Sequence, residues 1–245
     1  MTQTDDIQVL FSDDALLVIN KPAGLPSLPD GYIPSLPHVK NVLEKQFGRL
    51  WIVHRLDKET SGVLLLARSA EAHRSLNTQF EQRQVSKVYH ALLVGNPAWR
   101  EQTVDLPLHP NGDRHHRTVV DQLGGKPAIT HIKVLERFTG YCLLEARPET
   151  GRTHQIRAHL LSLGMTIIGD KLYGKHVELD STLNIPTSQA AQLTFPWPAQ
   201  CIGLHARFLE ITHPLTGERL KFSAPYPVYF TDALLQLRKD ENYGD

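Results

Sequence analysis

Short apolar runs of strand length, each closed off by turn residues, recur along this chain far more often than helical periodicity does. That alternation limits the fold to one rich in hairpins. Residues 7–11 and 15–19 read as two strands joined by the turn Ser12-Asp13-Asp14, and residues 50–53, 63–67, 85–94, 128–135, 141–146, 204–211 and 220–222 repeat the pattern. Helical spacing is confined to four places. One is a short helix near 39–47. A second runs from a Ser69 cap to about 82, with Ala72, Leu76 and Phe80 on one face. A third runs from a Thr153 cap to Gly164, with Ile156, Leu160 and Leu163 as its buried stripe. The last spans 231–238. This order predicts an α+β fold in which one domain covers residues 1–245, with its core over about 7–225 and a largely antiparallel mixed central sheet flanked by helices and loops. Two segments stand outside the pattern: residues 21–37 carry five prolines and two glycines and must form a long loop, and residues 175–200 lack periodicity and read as an insertion.

A chain of 245 residues that is 41% hydrophobic can bury one substantial core. Its two cysteines, Cys142 and Cys201, suit neither a disulfide framework nor a cysteine-based zinc site, which points to a reducing compartment. The polar, acidic start and the lack of an apolar run of about 18 residues predict a soluble cytoplasmic protein without a membrane partner. Twenty-six basic residues balance twenty-six acidic ones, so bulk charge does not select a polyanionic partner. Distribution does so weakly, because residues 49–90 hold seven Lys/Arg against four acids.

One carboxylate stands out. In Trp51-Ile-Val-His-Arg-Leu-Asp-Lys-Glu-Thr-Ser-Gly-Val-Leu-Leu-Leu-Ala-Arg68, Asp57 lies in the polar break between two apolar runs. An aspartate in such a break ordinarily serves as a turn or cap residue. Here Arg55 and Lys58 favour its ionised form, which suits a nucleophile and not a general acid. Lys87 and Tyr89 fall on one face of a strand, where a tyrosine alone is most often packing. Gly151-Arg152-Thr153-His154-Gln155-Ile156-Arg157 is a glycine turn entering a helix, whose N–H groups and arginines suit an anion as readily as ordinary capping. Thirteen histidines raise a metal site, but His154 and His159 are five apart and Asp113-Arg-His-His-Arg117 has no following ligand pattern, so no metal is predicted. A phosphate loop, a serine elbow and a partnered cysteine nucleophile are absent.

The run His54-Arg55-Leu56-Asp57-Lys58-Glu59-Thr60-Ser61-Gly62 resembles the signature of the RluA-type RNA pseudouridine synthases. Five further blocks resemble that family in its order: Asn20-Lys21-Pro22-Ala23-Gly24-Leu25, Lys87-Val88-Tyr89-His90-Ala91, Thr150 to His159, Gly169-Asp170-Lys171-Leu172-Tyr173-Gly174 and Leu204-His205-Ala206. Glu59 departs from the aspartate of many relatives, two residues after the signature's nucleophile.

The resemblance implies a catalytic domain with a central active-site cleft that converts uridine to pseudouridine in structured ribosomal or transfer RNA, without cofactor or metal. It implies that Asp57 attacks the ribose or assists loss of a ribose proton, that Tyr89 packs on the target base and helps remove its C5 proton, and that Arg157 pairs with the aspartate. Arg55 matches the arginine that fills the gap left by a flipped nucleotide. Lys21, Lys87, Arg152 and His154 fall in the matched blocks and are expected to contact RNA. The resemblance also points to a short member without an S4-like domain, acting as a monomer without an obligatory protein partner. Two other readings compete: a non-catalytic RNA-binding or remodelling factor on the same scaffold, and a nucleoside or glycoside hydrolase, which would ordinarily need a second carboxylate.

Overall fold

The computed structural model describes residues 7–29, 33, 35–174 and 196–242, so most of the expected insertion, residues 175–195, lies outside the described residues. In chain order the elements are β1 (Gln8–Ser12), β2 (Leu16–Lys21), α1 (Val39–Phe47), β3 (Trp51–Ile52), β4 (Ser61–Ala67), α2 (Ala70–Glu81) and β5 (Ser86–Val94). Then come β6 (Glu101–Asp105), β7 (Leu108–His109), β8 (Val119–Val120), β9 (Ile129–Phe138), β10 (Tyr141–Pro148), α3 (Gln155–Ser162), β11 (Thr166–Ile167), β12 (Leu204–Thr212), β13 (Arg219–Ser223) and α4 (Val228–Asn242). The mixed, largely antiparallel α+β class expected from the sequence is what these elements form. They divide into two compact units, residues 1–87 with 205–227, and residues 88–204 with 228–245.

In the first unit the strand order is β1-β2-β4-β12, with β3 also on β4 and β13 on β12. All pairings are antiparallel except β4 with β12, which is parallel. Every residue of β4 is buried, as its continuous apolar run requires of a central strand. One edge of β4 pairs along its length with β2. The other edge is shared: β3 takes Leu66 and Ala67, β12 takes Ser61 and Gly62, and between them the His54 ring takes the Leu65 N–H. The α2 helix covers the core with Ala72 and Leu76, and the Ser69 hydroxyl accepts the Ala72 N–H at 3.1 Å, the cap its sequence predicts.

In the second unit the order is β5-β10-β9-β6, with β11 on β5 and β7-β8 as a separate two-stranded piece. Burial alternates along β9, so one face enters a core of Leu93, Ile132, Leu144, Ile156 and Leu160 while the other stays wet. The α4 helix is longer than expected at both ends. Phe230, Ala233, Leu234 and Leu237 form its buried stripe, and a two-pronged ion pair from Arg238 to Glu136 (2.6 and 2.8 Å) ties down its last turns.

Two expectations need correction. The third helix starts at Gln155 and not after a Thr153 cap: His154 precedes it in the left-handed conformation (φ 50°), without a side-chain cap. Gln155 satisfies the entry instead, accepting from the Arg152 N–H (3.0 Å) and the Thr150 hydroxyl (2.7 Å) while donating to Ile129 O and Thr130 Oγ1. Nor does α3 show a single apolar stripe, because residues 155–160 are buried on all sides. The strands β6, β7, β8 and β11 go beyond the expected set. The β6 sequence, Glu-Gln-Thr-Val-Asp, buries only Val104 at the margin of its sheet, and the other three are two residues long.

Candidate active site

In the first unit the loop from Val53 to Thr60 is held at His54, Leu56, Lys58 and Thr60. His54 turns inward, stacks on Phe80 (5.0 Å between ring centres) and accepts the Leu65 N–H on Nε2 at 3.0 Å. Leu65 lies in the stretch of β4 that neither β3 nor β12 pairs, so the imidazole replaces a missing strand carbonyl. An imidazole accepting at Nε2 must be neutral with its proton on Nδ1. Burial, with the Lys87 cation second, pushes the His54 pKa down to about 3, in keeping with that state.

Leu56 is buried, and both of its backbone polar groups go to one hydroxyl: Ser27 Oγ accepts the Leu56 N–H at 3.1 Å and donates to the Leu56 carbonyl at 2.9 Å. The Lys58 carbonyl takes the Gly24 N–H (2.7 Å) and the Lys21 ammonium (3.2 Å). The Thr60 N–H closes a turn onto the Asp57 carbonyl at 3.1 Å. His54 and Leu56 therefore turn inward and the Lys58 carbonyl is tied down, whereas the side chains of Arg55 and Lys58 are exposed and Asp57 is half-buried. The opposite end of the loop is anchored where Ser61 donates to His205 Nδ1 (2.8 Å), whose other ring nitrogen meets the Ala224 carbonyl (3.2 Å). His205 is fully buried and bridges β4 to β12.

Lys21 requires a reassignment. Its side chain is 0% exposed, and its ammonium donates to the carbonyls of Pro22, Leu25 and Lys58. Its charge fastens the proline-rich loop to the Asp57 loop and is not displayed to an RNA. Lys87 is half-buried, and desolvation, aided by Arg83, pulls its pKa down to about 8.

In the second unit Tyr89 lies on β5 opposite Ala146 of β10, half-buried against the core. Arg157 is 4% exposed, and Asp170, its ion-pair partner, is equally buried. Nε donates to Oδ2 at 2.7 Å and Nη2 to Oδ1 at 2.9 Å. The guanidinium lies over the Tyr173 ring, 4.9 Å from its centre. The Tyr173 hydroxyl accepts the Thr118 N–H (3.0 Å), donates to the Thr118 carbonyl (3.2 Å) and meets His154 Nδ1 at 3.3 Å. Burial pushes the Tyr173 phenol up to about 12 and holds it protonated. Arg152 donates from Nε to the Pro127 carbonyl (3.1 Å), and His159 is a core residue between the Thr130 hydroxyl (2.8 Å) and the Leu106 carbonyl (3.0 Å), where burial lowers its pKa.

Sequence reasoning alone does not find the roles of Ser27, Ser61 and Asp170. Ser27 carries no local signal within its proline-rich loop. Ser61 and Asp170 stand inside matched blocks, which is the only signal available for them. Among the described residues no group of three or more His, Cys, Asp or Glu could hold a metal ion, and no helix is long and apolar enough to cross a membrane.

Comparison with known proteins places this architecture. Residues 15–162 match the family described as RNA pseudouridylate synthase. The ribosomal large subunit pseudouridine synthase D of Pseudomonas aeruginosa is 38% identical over 98% of this chain and 74% of its own length. An uncharacterised RNA pseudouridine synthase of Zymomonas mobilis is 40% identical over 92% of this chain and 96% of its own. Among solved structures, human RNA pseudouridylate synthase domain containing 4 superimposes with a TM-score of 0.74 at 29% identity, covering 94% of this chain and 93% of the human one.

Proposed function

The chain belongs to the RluA-type RNA pseudouridylate synthases, enzymes that isomerise uridine in RNA, and we propose that it acts on a uridine within structured ribosomal or transfer RNA with Asp57 as its nucleophile. The observation that carries this reading is the construction of the 53–60 loop. Its His54, Leu56 and Lys58 backbone or ring groups are each tied to a named partner, so the Asp57 carboxylate is presented from a frame that need not reorganise.

In the proposed reaction the N1–C1′ bond of the target uridine breaks and a C5–C1′ bond forms. C5 loses a proton and N1 gains one, so nothing is oxidised, reduced or consumed. Asp57 either attacks the ribose, holding it as an ester while uracil turns, or assists loss of a ribose proton to give a glycal that uracil re-enters. Tyr89 packs on the base and helps take the C5 proton. Arg157 partners the aspartate. A target inside folded RNA must be extruded first, at a cost of a few kcal/mol, and Arg55 takes its place in the stack. Lys87, Arg152 and His154 contribute contacts to the RNA backbone. The protein acts as one catalytic unit and a monomer in the cytoplasm.

The Pseudomonas relative's name specifies the ribosomal large subunit, which makes large-subunit ribosomal RNA the first substrate to test. Ribosomal and transfer RNA transcripts labelled at uridine are incubated with the protein and with Asp57→Asn, and digests are resolved for uridine, pseudouridine and free uracil. Pseudouridine from the parent alone is expected, with Asp57→Asn below about a thousandth of the parent rate, the scale of losing an essential catalytic group. Free uracil would instead identify a hydrolase, and tight binding without product a remodelling factor.

A further inference from the structure

The carboxylate that holds Arg157 belongs to the turn after β11, thirteen residues along the chain, and every group around it is fixed. Asp170 Oδ1 accepts the Leu172 and Tyr173 N–H groups, both at 3.1 Å, in addition to Nη2 of Arg157. The Asp170 N–H donates to the Ile167 carbonyl (3.1 Å), and the Asp170 carbonyl accepts the Gly174 N–H (2.8 Å). Gly169 just before it has φ 77°, and a Cβ there would fall 2.5 Å from the Cys201 carbonyl oxygen, so the approach to the turn admits only glycine. Tyr173, three residues on, supplies the ring under the guanidinium, and its hydroxyl is pinned by both backbone groups of Thr118.

We propose that Asp170 is a positioning residue for isomerisation, fixing the direction in which Arg157 presents its guanidinium. The inference rests on the role given to Arg157 above. A buried ion pair is weak evidence of a purely stabilising purpose, because an apolar pair of similar volume often serves the fold as well. What this arrangement achieves is orientation. Asp170 takes the Nε–Nη2 edge and Tyr173 takes one face, so two of the three directions of a planar cation are set before RNA binds and the Nη1 edge is the one Arg157 presents in the reaction. The side-chain entropy of the arginine is removed in folding and not in the catalytic step.

The discriminating measurement is a double-mutant cycle on single-turnover rates. Asp170→Asn keeps the size and the Oδ1 acceptor for the two turn N–H groups while placing an amide NH2 against a guanidinium N–H. The expected result is a fall in the catalytic rate of about 10²-fold, the scale of a misplaced catalytic group, with RNA affinity within about twofold of the parent because binding contacts are untouched. In an Arg157→Lys background the same change should add little. A folded Asp170→Asn with parental rate, or equal fold-losses in the two backgrounds, would overturn the proposal while Arg157 keeps its role. An Arg157→Lys variant with the parental rate would remove both that role and this inference. If Asp170→Asn does not fold, Asp170→Glu keeps the charge and shifts the oxygens by one methylene. It should fold and still lose rate, and full activity there overturns the positioning role.

Discussion

The Ser27 hydroxyl satisfies both backbone polar groups of Leu56, the residue before Asp57, from a position 29 residues earlier in the chain. Ser27 and Leu56 are both buried, so water cannot replace the bonds. Ser27→Ala should therefore leave an N–H and a carbonyl unpaired at a cost of about 1–3 kcal/mol, and let the Asp57 loop sample more than one geometry. The expected outcome is a melting temperature lower by several degrees and a catalytic rate that falls by more than the RNA affinity does. Thermal unfolding and single-turnover kinetics check it; an unchanged rate would show that the loop keeps its geometry without Ser27.

The inward-turned imidazole of His54 makes stability depend on pH with a definite sign. Its pKa is about 3 in the folded protein against an ordinary 6.5. Between those values the unfolded chain carries a proton that the native ring refuses, so stability is complete above about 6.5 and declines as pH falls towards 3. By about pH 4.5 the contribution lost reaches up to roughly 2–3 kcal/mol. Urea unfolding of the parent and of His54→Gln at neutral and acid pH isolates it, because the other titrating groups cancel in the difference. The parent should lose more stability on acidification than the variant. Parallel pH profiles would mean that the ring titrates normally.

Where local patterning decides structure, the sequence is sufficient. Ser69 caps α2, alternation marks β9, and the polar break around Asp57 opens a loop between β3 and β4. Failures come where distant partners decide. The Glu101–Asp105 strand is polar and acquires its state only by pairing with β9. Residues 155–160 look amphipathic, yet Gln155, Arg157 and His159 are buried because Thr130, Asp170 and Leu106 satisfy them. Lys21 reads as a cation for RNA, whereas three carbonyls brought together by the 21–37 and 53–60 loops absorb its donors. Motif order can single out Asp57, but the supports contributed by Ser27 and Asp170 arise from chain crossings that no local pattern encodes.

Gly62, the second residue of β4, should tolerate no side chain. Its φ is 114°, and a Cβ would lie 2.2 Å from the Ala206 carbonyl oxygen on the adjoining strand. Both obstacles are backbone, and neither can move without parting β4 from β12 and pulling Ser61 from His205. Gly62→Ala is expected to cost more than about 3 kcal/mol, as overpacking and backbone strain combine. Gly140→Ala is the control: Gly140 also has positive φ (78°), but nothing lies within 4 Å of the point a Cβ would occupy, so that change should cost only the roughly 1–2 kcal/mol of positive-φ backbone. Chemical denaturation of both variants tests the ordering, and equal losses would mean that the close approach to Ala206 relaxes freely.

Arg55 stands two residues before Asp57, and it is exposed while its neighbours His54 and Leu56 are tied to Leu65 and Ser27. A rigid base beneath an exposed guanidinium is what a wedge requires, because the entropy of holding the side chain's root is removed before RNA arrives. If Arg55 occupies the space of the extruded uridine, it offsets an unstacking cost of a few kcal/mol that is smaller when the target is already unpaired. Arg55→Ala should then slow turnover of a uridine stacked in folded RNA more than turnover of the same uridine in a flexible single strand. If Arg55 acts only through its charge on the Asp57 loop, both substrates lose rate alike. Single-turnover rates on a matched pair of RNAs decide between the two, and equal losses would reject the wedge without bearing on the role proposed for Asp57.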